Sequence, residues 1–309
     1  LSSRAPIGKV AIAGTEMYCN QGFKNLICSD KIYNRYLFHF LRSKTQYINS
    51  LGRGATFKEI SKSIVADIEI PLPTLEEQRK IAVVLDKISD LTAKRRRQLD
   101  KLDELVKSRF VEMFGDFGNQ GEKITLADVC KIITDGTHQP PEFVPSGIPF
   151  LFVSNIVTNE ITYDAEKFIS EDTYNELIKR TPIELGDILL STVGSYGHPA
   201  IVKSDKRFCF QRHIAYLKPK AELVDSVYLH SAILSDDVQR QIEKNVKGIA
   251  QKTLNLSEIR KIKVPLPSME SQKRFAEMVT HIDKIKLQVR ASLDKLEMLK
   301  KARMQEYFR

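Results

Sequence analysis

The sequence predicts an α+β fold with two α/β domains, the first of them incomplete, separated by a pair of long antiparallel coiled-coil helices. Three observations support this prediction. Residues 70–88 and 264–282 are near copies of each other, apolar residues then recur at steps of three and four, and short β-branched runs alternate with turn signals elsewhere. The 309 residues, 42% of them hydrophobic, suffice for about two domains with their own cores.

The internal repeat keeps one offset, 194 residues, over its second part. The first copy is "IPLPTLEEQRKIAVVLDKI" and the second is "VPLPSMESQKRFAEMVTHI", with Gln78 falling on Gln272. Upstream the offset is 189 or 190, where "LSSRAPIG" at 1–8 matches "LSTVGSYG" at 190–197. Solenoid units run only about 20 to 50 residues, so this long period indicates a duplicated domain followed by a duplicated helix.

Residues 1–73 are interpreted as the C-terminal part of the first domain. Roughly 70 residues precede "LLST" in the second copy, whereas the first copy begins at Leu1. We therefore expect the front half of the first domain to be missing from this sequence. Truncation explains this better than a circular permutation, because no matching segment follows the second helix.

A long helix is predicted after each Pro-x-Pro, over 74–115 and again over 268–309. Proline disfavours helix at the preceding residue, Thr74 and Ser268 are good N-caps, and Glu77 follows Thr74 at capping-box spacing. Apolar residues at steps of three and four are typical of a coiled-coil seam. The predicted seam residues are Ile81, Leu85, Ile88, Leu99, Leu102, Val106 and Met113 in the first helix, and Phe275, Val279, Ile282, Val289, Leu293, Leu296 and Tyr307 in the second.

Polar residues interrupt both seams, so neither helix is suited to a homodimer of its own kind. The interrupting residues are Thr92, Arg95, Arg109, Lys286, Lys300 and Arg303. We therefore expect the two helices to pair with each other within one chain. The basic run "AKRRRQ" at 93–98 is interpreted as a solvated face.

The segment between the helices, 116–267, is predicted to be a complete mixed α/β domain. Its runs "KIIT" and "IPFLFVSNIV" indicate strands broken by Asp-Gly, Pro-Pro and Ser-Gly turns. "GDILLSTVGSYGHPAIV" at 186–202 indicates a hairpin, and "FCFQRHIAYLKP" indicates the strand after it. A helix is predicted over 225–246.

Composition and charge favour a polyanion partner. The net charge is +9, and within the complete domain residues 116–200 carry 5 Lys and Arg against 13 Asp and Glu, whereas residues 201–267 carry 13 against 7. Such a one-sided surface suits phosphate binding, although charge alone fits a merely solubilising role equally well. The four cysteines form no Cys-x-x-Cys pair, and no stretch approaches the roughly 18 apolar residues of a membrane span.

Several motifs in order resemble the specificity subunit of type I restriction-modification systems. They are "DGTH", "GIPFLFVSNI", "GDILLSTVGSYG", "KGIAQKTLNLSEI" and "IKVPLPSMESQKRF", followed by the repeated helix. The resemblance implies two target-recognition domains, each recognising one half of a split DNA sequence. It also implies that the two conserved helices act as spacers and dock the methyltransferase subunits. On this reading the incomplete first domain recognises DNA poorly alone.

Catalysis is not expected in this chain. The adenine methyltransferases expected in such a complex resemble one another in an Asn-Pro-Pro-aromatic motif, whereas the Pro-Pro of this chain stands in "QPPEF" at 139–143. The sequence holds no Gly-x-Gly-x-x-Gly, and no Asp or Glu has Lys two places later. The resemblance therefore assigns S-adenosylmethionine, ATP and Mg²⁺ to partner subunits and no cofactor or metal to this chain.

Double-stranded DNA, the methyltransferase subunits and, indirectly, the restriction and translocase subunit are the expected partners, in the cytoplasm and away from any membrane. Polar loop residues beside glycines or at strand ends are the candidates for DNA contact. These candidates are Thr137, His138, Ser195, Tyr196, Gln211, Arg212, Lys247, Gln251 and Lys252. Two alternatives stay open: the specificity partner of a combined methyltransferase-nuclease, and a coiled-coil scaffold that does not contact DNA.

Overall fold

The computed structural model describes residues 1–54, 58–115, 123–248 and 252–309. The chain divides into two compact units, one formed by Leu1–Lys101 with Lys286–Arg309 and the other by Leu102–Ile285. Each unit therefore contains part of both long helices. Among the helices of the described ranges, none has both the length and the apolar character that a membrane span requires.

The first unit is mainly helical. Its elements are α1 (Asn34–Ser43), α2 (Thr45–Ser50), α3 (Lys62–Ala66), the first part of α4 (Leu75–Phe114) and the last part of α10 (Met269–Tyr307). The buried core joins these helices to the N-terminal segment through Ile7, Tyr36, Phe40, Leu85 and Phe308. Isolated β-bridges, such as the one between Arg4 and Glu59, hold the extended segments together.

The second unit carries the sheets. Its strands are β1 (Lys123–Thr125), β2 (Cys130–Asp135), β3 (Ile148–Leu151), β4 (Lys167–Ile169), β5 (Ile188–Ser191), β6 (Pro199–Ile201), β7 (Cys209–Phe210), β8 (Ile214–Pro219) and β9 (Lys263–Pro265). Its short helices are α5 (Leu126–Val129), α6 (Glu171–Leu177), α7 (Ser226–Ile233), α8 (Asp236–Asn245) and α9 (Leu256–Lys261).

The main sheet has the order β2-β8-β5-β6, with every neighbouring pair antiparallel. A second sheet has the order β4-β3-β7, in which β3 and β7 are parallel, and β1 pairs with β9. Strand β5 is buried along its whole length because both of its neighbours are strands and both of its faces are covered. The hairpin predicted over 186–202 is confirmed as β5 and β6.

Both long helices begin as predicted. The Thr74 Oγ1 accepts from the Glu77 backbone N–H at 3.3 Å, while the Thr74 backbone N–H donates to the Glu77 carboxylate at 3.1 Å. At the second copy the Ser268 Oγ accepts from the Ser271 backbone N–H at 3.3 Å. The helices then run for 40 and 39 residues.

A buried glutamine fastens each helix start to its domain in the same way. The Gln78 Oε1 accepts from the Tyr33 backbone N–H at 2.8 Å, and its Nε2 donates to the carbonyls of Lys31 and Pro73. In the second unit the Gln272 Oε1 accepts from the Asp225 backbone N–H at 2.9 Å, and its Nε2 donates to the carbonyls of Leu223 and Pro267. We call these two contact sets the glutamine latches.

The helices pair antiparallel within the first unit. Leu85 of α4 shares a buried cluster with Phe308, whereas Arg96, further along α4, forms an ion pair at 2.7 Å with Glu297, which lies earlier in α10. Residue numbers thus rise along one helix as they fall along the other. Most predicted seam residues are buried or half-buried.

The predicted seam is wrong at its end in the first helix. Met113 is 38% exposed, while Phe110 is buried and Phe114 is half-buried. Phe110 and Phe114 pack on each other and on Tyr228 and Phe275 of the second unit. An aromatic cluster therefore determines which side chains face inward here. The spacing of three and four residues that defines the seam does not extend to Met113.

Three predicted elements are shorter than expected. The strand beginning at 148 ends at Leu151, because the Asn155 Oδ1 accepts from the Phe152 backbone N–H at 2.9 Å and turns the chain. The strand predicted over "FCFQRHIAYLKP" is split into β7 and β8 by a turn at 211–213. The helix predicted over 225–246 breaks where the Ser235 side chain caps α8.

Candidate nucleic-acid interface

Two backbone segments cross closely at the end of strand β2. A Cβ added to Gly136 would lie 2.1 Å from the Phe210 carbonyl oxygen, so only glycine fits. The next residue, Thr137, donates its backbone N–H to that same oxygen at 3.2 Å and accepts at its own carbonyl from the Arg212 N–H at 3.0 Å. This crossing brings the predicted residues Thr137, Gln211 and Arg212 into one group.

Asp135 holds two basic side chains beside this crossing. One of its carboxylate oxygens lies 3.0 Å from the His138 Nε2, and the other pairs with the Arg180 guanidinium. The Asp135 side chain is only 14% exposed, whereas those of His138 and Arg180 are about half exposed, at 55% and 51%. The carboxylate therefore orients both groups while leaving them open to a ligand.

A second group of predicted residues lies on the turn of the β5–β6 hairpin. Gly194 and Gly197 have φ of +71° and +81°, which allows the tight turn that exposes Ser195 between them. The Lys252 ammonium lies 5.8 Å from the centre of the Tyr196 ring and 3.5 Å from its hydroxyl. This cation–π contact holds an exposed positive charge at the turn.

The loop that carries Lys252 is attached to the hairpin through its backbone. The Gly194 N–H donates to the Lys252 carbonyl at 3.1 Å, and Thr253 forms a β-bridge with Val193. Lys247 is exposed and is bridged to Thr253, so it belongs to the same loop. Gln251 lies outside the described residues.

A pocket of about 270 Å³ is lined by Arg212 of the first group and by residues that adjoin the hairpin turn and the loop of the second. Asp135, Arg212 and His213 line one part of it, and Val193 and Thr253 line another. The Arg212 Nε donates to the His213 Nε2 at 3.3 Å. Burial and then the Arg212 charge lower the pKa of His213, so its ring is neutral near pH 7 and accepts this bond. The pocket is thus a concave, polar patch on the second unit.

The arrangement is suited to binding rather than to covalent chemistry. Exposed cations at Arg212, Lys247 and Lys252 suit phosphate groups, and the nearby hydroxyl and amide side chains suit base edges. Burial raises the pKa of Cys130 and of Cys209 to about 12, so both thiols are protonated and unreactive near pH 7. Within the described ranges no three His, Cys, Asp or Glu side chains group as metal ligands would.

The first unit repeats the framework of this site. Gly8, with φ of +87°, donates its N–H to the Ser2 carbonyl as Gly197 does to that of Ser191. The Arg53–Glu59 bridge corresponds to the Lys247–Thr253 bridge, 194 residues later. The first unit therefore presents an equivalent hairpin turn and loop, with different side chains on them.

Sequence reasoning did not identify Asp135, Arg180 or Asn255 as parts of this patch. The "TDGT" turn marks Asp135 as a strand-end residue, so a rule that included acidic side chains would have found it. Arg180 gives no such signal, because it reaches Asp135 from 45 residues away along the chain.

Comparison with known proteins agrees with the described architecture. Residues 1–103 and 120–298 match the family model described as the type I restriction modification DNA specificity domain. The MjaIX type I restriction enzyme specificity subunit of Methanocaldococcus jannaschii is 27% identical over 303 residues, which cover 90% of this chain and 69% of that subunit. The EcoBI specificity subunit of Escherichia coli is 25% identical over 315 residues, covering 91% of this chain and 66% of that subunit.

Among solved structures, the fold is similar to the S subunit of a type I restriction-modification system from M. genitalium. That similarity has a TM-score of 0.64 at 18% identity and covers 100% of this chain and 82% of the other. The family match extends over both units and over most of both long helices. The chain therefore belongs to the DNA specificity subunits of type I restriction-modification systems, the non-catalytic recognition components of those enzymes.

Proposed function

We propose that the polar patch of the second unit recognises one half of a bipartite DNA target for a type I restriction-modification complex. The family match along 1–103 and 120–298 carries the assignment to DNA specificity, and the repeated hairpin and loop support two recognition surfaces per chain. The first unit would present the second surface, at the turn that contains Gly8.

Within the patch, different residues would contact the phosphates and the base edges. Arg212, Lys247 and Lys252 would bind phosphates and set the position of the protein on the duplex, since such contacts carry little sequence information. Thr137, Ser195 and Gln211 would contact base edges, where hydrogen bonds distinguish one base pair from another. The crossing at Gly136 would fix the distance of Arg212 from Thr137 and Gln211.

Paired charge-neutralising variants test this proposal. Arg212→Gln with Lys252→Gln should lower DNA affinity by at least tenfold and reduce the salt slope of binding by about 2, because about 0.9 is lost per phosphate contact. Lys179→Gln with Lys244→Gln is the matched control, since both lysines are exposed in the same unit and belong to neither of the two groups of predicted residues. Equal losses in the two double variants would contradict the assignment of the patch.

We also propose that the long helices dock the methyltransferase subunits. Val84 and Leu91 of α4 are 37% and 39% exposed and lie seven residues apart in the first unit. Such a pair on one helix face suits a partner helix. The partner subunits would then bind the cofactors for methylation and cleavage. The restriction subunit would attach indirectly, and the complex would act in the cytoplasm.

Co-purification tests the docking proposal. Val84→Asp with Leu91→Asp should release the methyltransferase subunit, while Lys87→Asp with Lys94→Asp, which changes exposed lysines of the same helix, should retain it. The identity of the retained subunit also separates a distinct methyltransferase from a combined methyltransferase-nuclease. Retention of the subunit by the apolar-to-acidic variant would refute this docking face.

Helix length is the proposed determinant of target spacing. At about 1.5 Å per residue, helices of 40 and 39 residues are each about 60 Å long, more than one turn of B-DNA. Inserting one heptad into both helices should change the number of bases between the two half-sites and leave their sequences unchanged. Mapping of methylated adenines in cells checks this, and altered half-sites at constant spacing would contradict it.

A further inference from the structure

A strongly basic cleft lies in the first unit, and none of its lining residues is among those predicted to contact DNA. It has a volume of about 1280 Å³ and is bounded by the end of α1, the start of α2, the middle of α4 and the end of α10. Seven basic side chains line it: Arg42, Lys44, Arg96, Arg97, Lys300, Lys301 and Arg309. The cleft is thus assembled from three distant parts of the sequence.

Positive charge in this basic cleft is poorly compensated. Glu297 also lines it and pairs with Arg96 at 2.7 Å, and within the described ranges the other six basic side chains have no carboxylate within ion-pair distance. Burial, and then the charges of Arg42 and Arg96, lower the pKa of the half-buried Lys300. An anion bound here would relieve that repulsion.

Aromatic rings hold two of these cations in place. The Arg42 guanidinium lies 5.3 Å from the centre of the Phe38 ring, and the Lys44 ammonium lies 6.0 Å from that of Phe40. Cations positioned before a ligand arrives lose less conformational entropy when it binds. The cleft therefore has a preorganised wall rather than a set of freely moving side chains.

The basic cleft adjoins the first unit's counterpart of the proposed DNA-binding hairpin turn. Lys44 is followed by Thr45, whose backbone oxygen would lie 3.2 Å from a Cβ placed on Gly8. Gly8 occupies the place that Gly197 occupies beside Ser195 and Tyr196 in the second unit. A polyanion bound at that turn would therefore lie next to an element that bounds the cleft.

The charge is not a by-product of the internal repeat. Gly8 packs on Ile48 of α2 as Gly197 packs on Ile242 of α8, so α2 and α8 correspond. Helix α8 begins with Asp236 and Asp237 in its first turn, whereas α2 has no acidic residue in its first turn and is preceded by Lys44. The basic cleft therefore belongs to one half of the duplication.

We propose that this cleft binds backbone phosphates of the same DNA molecule, independently of sequence and outside the recognised bases. The inference depends on the proposed DNA-recognition function. Nucleic acid is favoured over an acidic protein segment because protein interfaces have an apolar, charge-poor centre, whereas this cleft has cations across its lining. Arginine guanidinium groups also match the oxygens of a phosphate in a bidentate manner.

The test compares two triple variants of the full chain, with any co-purifying subunits retained. Arg97→Gln, Lys300→Gln and Lys301→Gln remove cleft cations, and Lys87→Gln, Lys94→Gln and Lys295→Gln remove exposed cations of the same helices that do not line the cleft. Binding to a duplex with the mapped target and to one without it is measured by fluorescence anisotropy at several salt concentrations. The cleft variant should lose about tenfold or more in affinity for both duplexes, and its salt slope should fall by about 2 to 3, while the control retains both.

Three results would overturn the inference. One is an unchanged salt slope, and another is a loss confined to the target duplex, which would indicate base recognition. The third is normal DNA binding with loss of a co-purifying subunit, which would make the cleft a protein interface. If the wild-type chain binds neither duplex, the proposed function is refuted as well. If the wild-type chain and the cleft variant bind both duplexes equally, this inference alone is refuted.

Discussion

Replacing Gly136 with alanine is expected to disrupt the recognition patch without touching any proposed DNA contact. The added Cβ would lie 2.1 Å from the Phe210 oxygen and 2.5 Å from the Gln211 oxygen, both of which are backbone atoms. Ordinary contacts begin above 3.0 Å, so the two segments must separate by about 1 Å. A rotamer change in a neighbouring side chain offers no relief.

The magnitude follows from the hydrogen bonds at the crossing. Three backbone bonds lie there, from Gly136 N to the Ile214 oxygen at 3.2 Å, from Thr137 N to the Phe210 oxygen at 3.2 Å and from Arg212 N to the Thr137 oxygen at 3.0 Å. At about 1 kcal/mol each, with about 1 to 2 kcal/mol for overpacking, the free energy of unfolding of the second unit should fall by about 4 to 5 kcal/mol.

Hydrogen exchange followed by mass spectrometry measures this effect separately in each unit. Protection should decrease in strands β2 and β8 and stay unchanged in α1, and affinity for the target duplex should fall with it. Gly14→Ala is the matched control, because no atom lies within 4 Å of the position of its added Cβ. Wild-type protection and wild-type affinity in Gly136→Ala would refute the argument that this crossing builds the patch.

Three further predictions concern the framework. Gln78→Met and Gln272→Met should each lower the stability of their own unit by about 2 to 3 kcal/mol, seen by hydrogen exchange, because each leaves buried backbone groups unpaired; an effect in only one unit would contradict the equivalence of the latches. Burial lowers the pKa of His230 to about 4, below the roughly 6.5 of an unfolded chain, so the unfolded state binds more protons and stability should fall by up to about 3 kcal/mol as pH drops from 6.5 to 4. Urea unfolding at several pH values checks this, and an equally steep loss in His230→Gln would show that other groups cause it. Phe110→Ala should lower the free energy of unfolding of the second unit by about 3 to 5 kcal/mol and Met113→Ala by less than about 0.5 kcal/mol. Urea unfolding measures both, and a larger loss in Met113→Ala would support the predicted seam that contains Met113.

Features encoded locally or by the repeat were predictable from the sequence. The capping box at Thr74 and the β5–β6 hairpin follow from residues a few positions apart. The 194-residue offset placed Gln78 on Gln272, and the structure adds the reason for that match, since both side chains make the same backbone contacts. The break at Ser235 is also encoded locally, as a capping serine before two aspartates. The prediction of a single helix over 225–246 did not use that signal.

Features that depend on distant parts of the chain were not predictable. The basic cleft joins Arg42, Arg96 and Lys300, and no periodicity relates these positions. The run that contains Arg96 was interpreted as a solvated face, which describes its exposure but not the cleft that it lines. Charge clusters of this kind need the packing of helices before they can be recognised.

The glutamine latches bear on how new specificities arise. Among the described residues, each latch forms its hydrogen bonds to main-chain atoms of the domain that it holds, at Tyr33 and Lys31 in one unit and at Asp225 and Leu223 in the other. Because these hydrogen bonds use backbone groups, such a junction does not depend on the side chains of the attached domain. Recombination at the Pro-x-Pro borders should therefore exchange whole domains between genes and yield hybrids that fold. A small set of domains would then give many DNA target sequences.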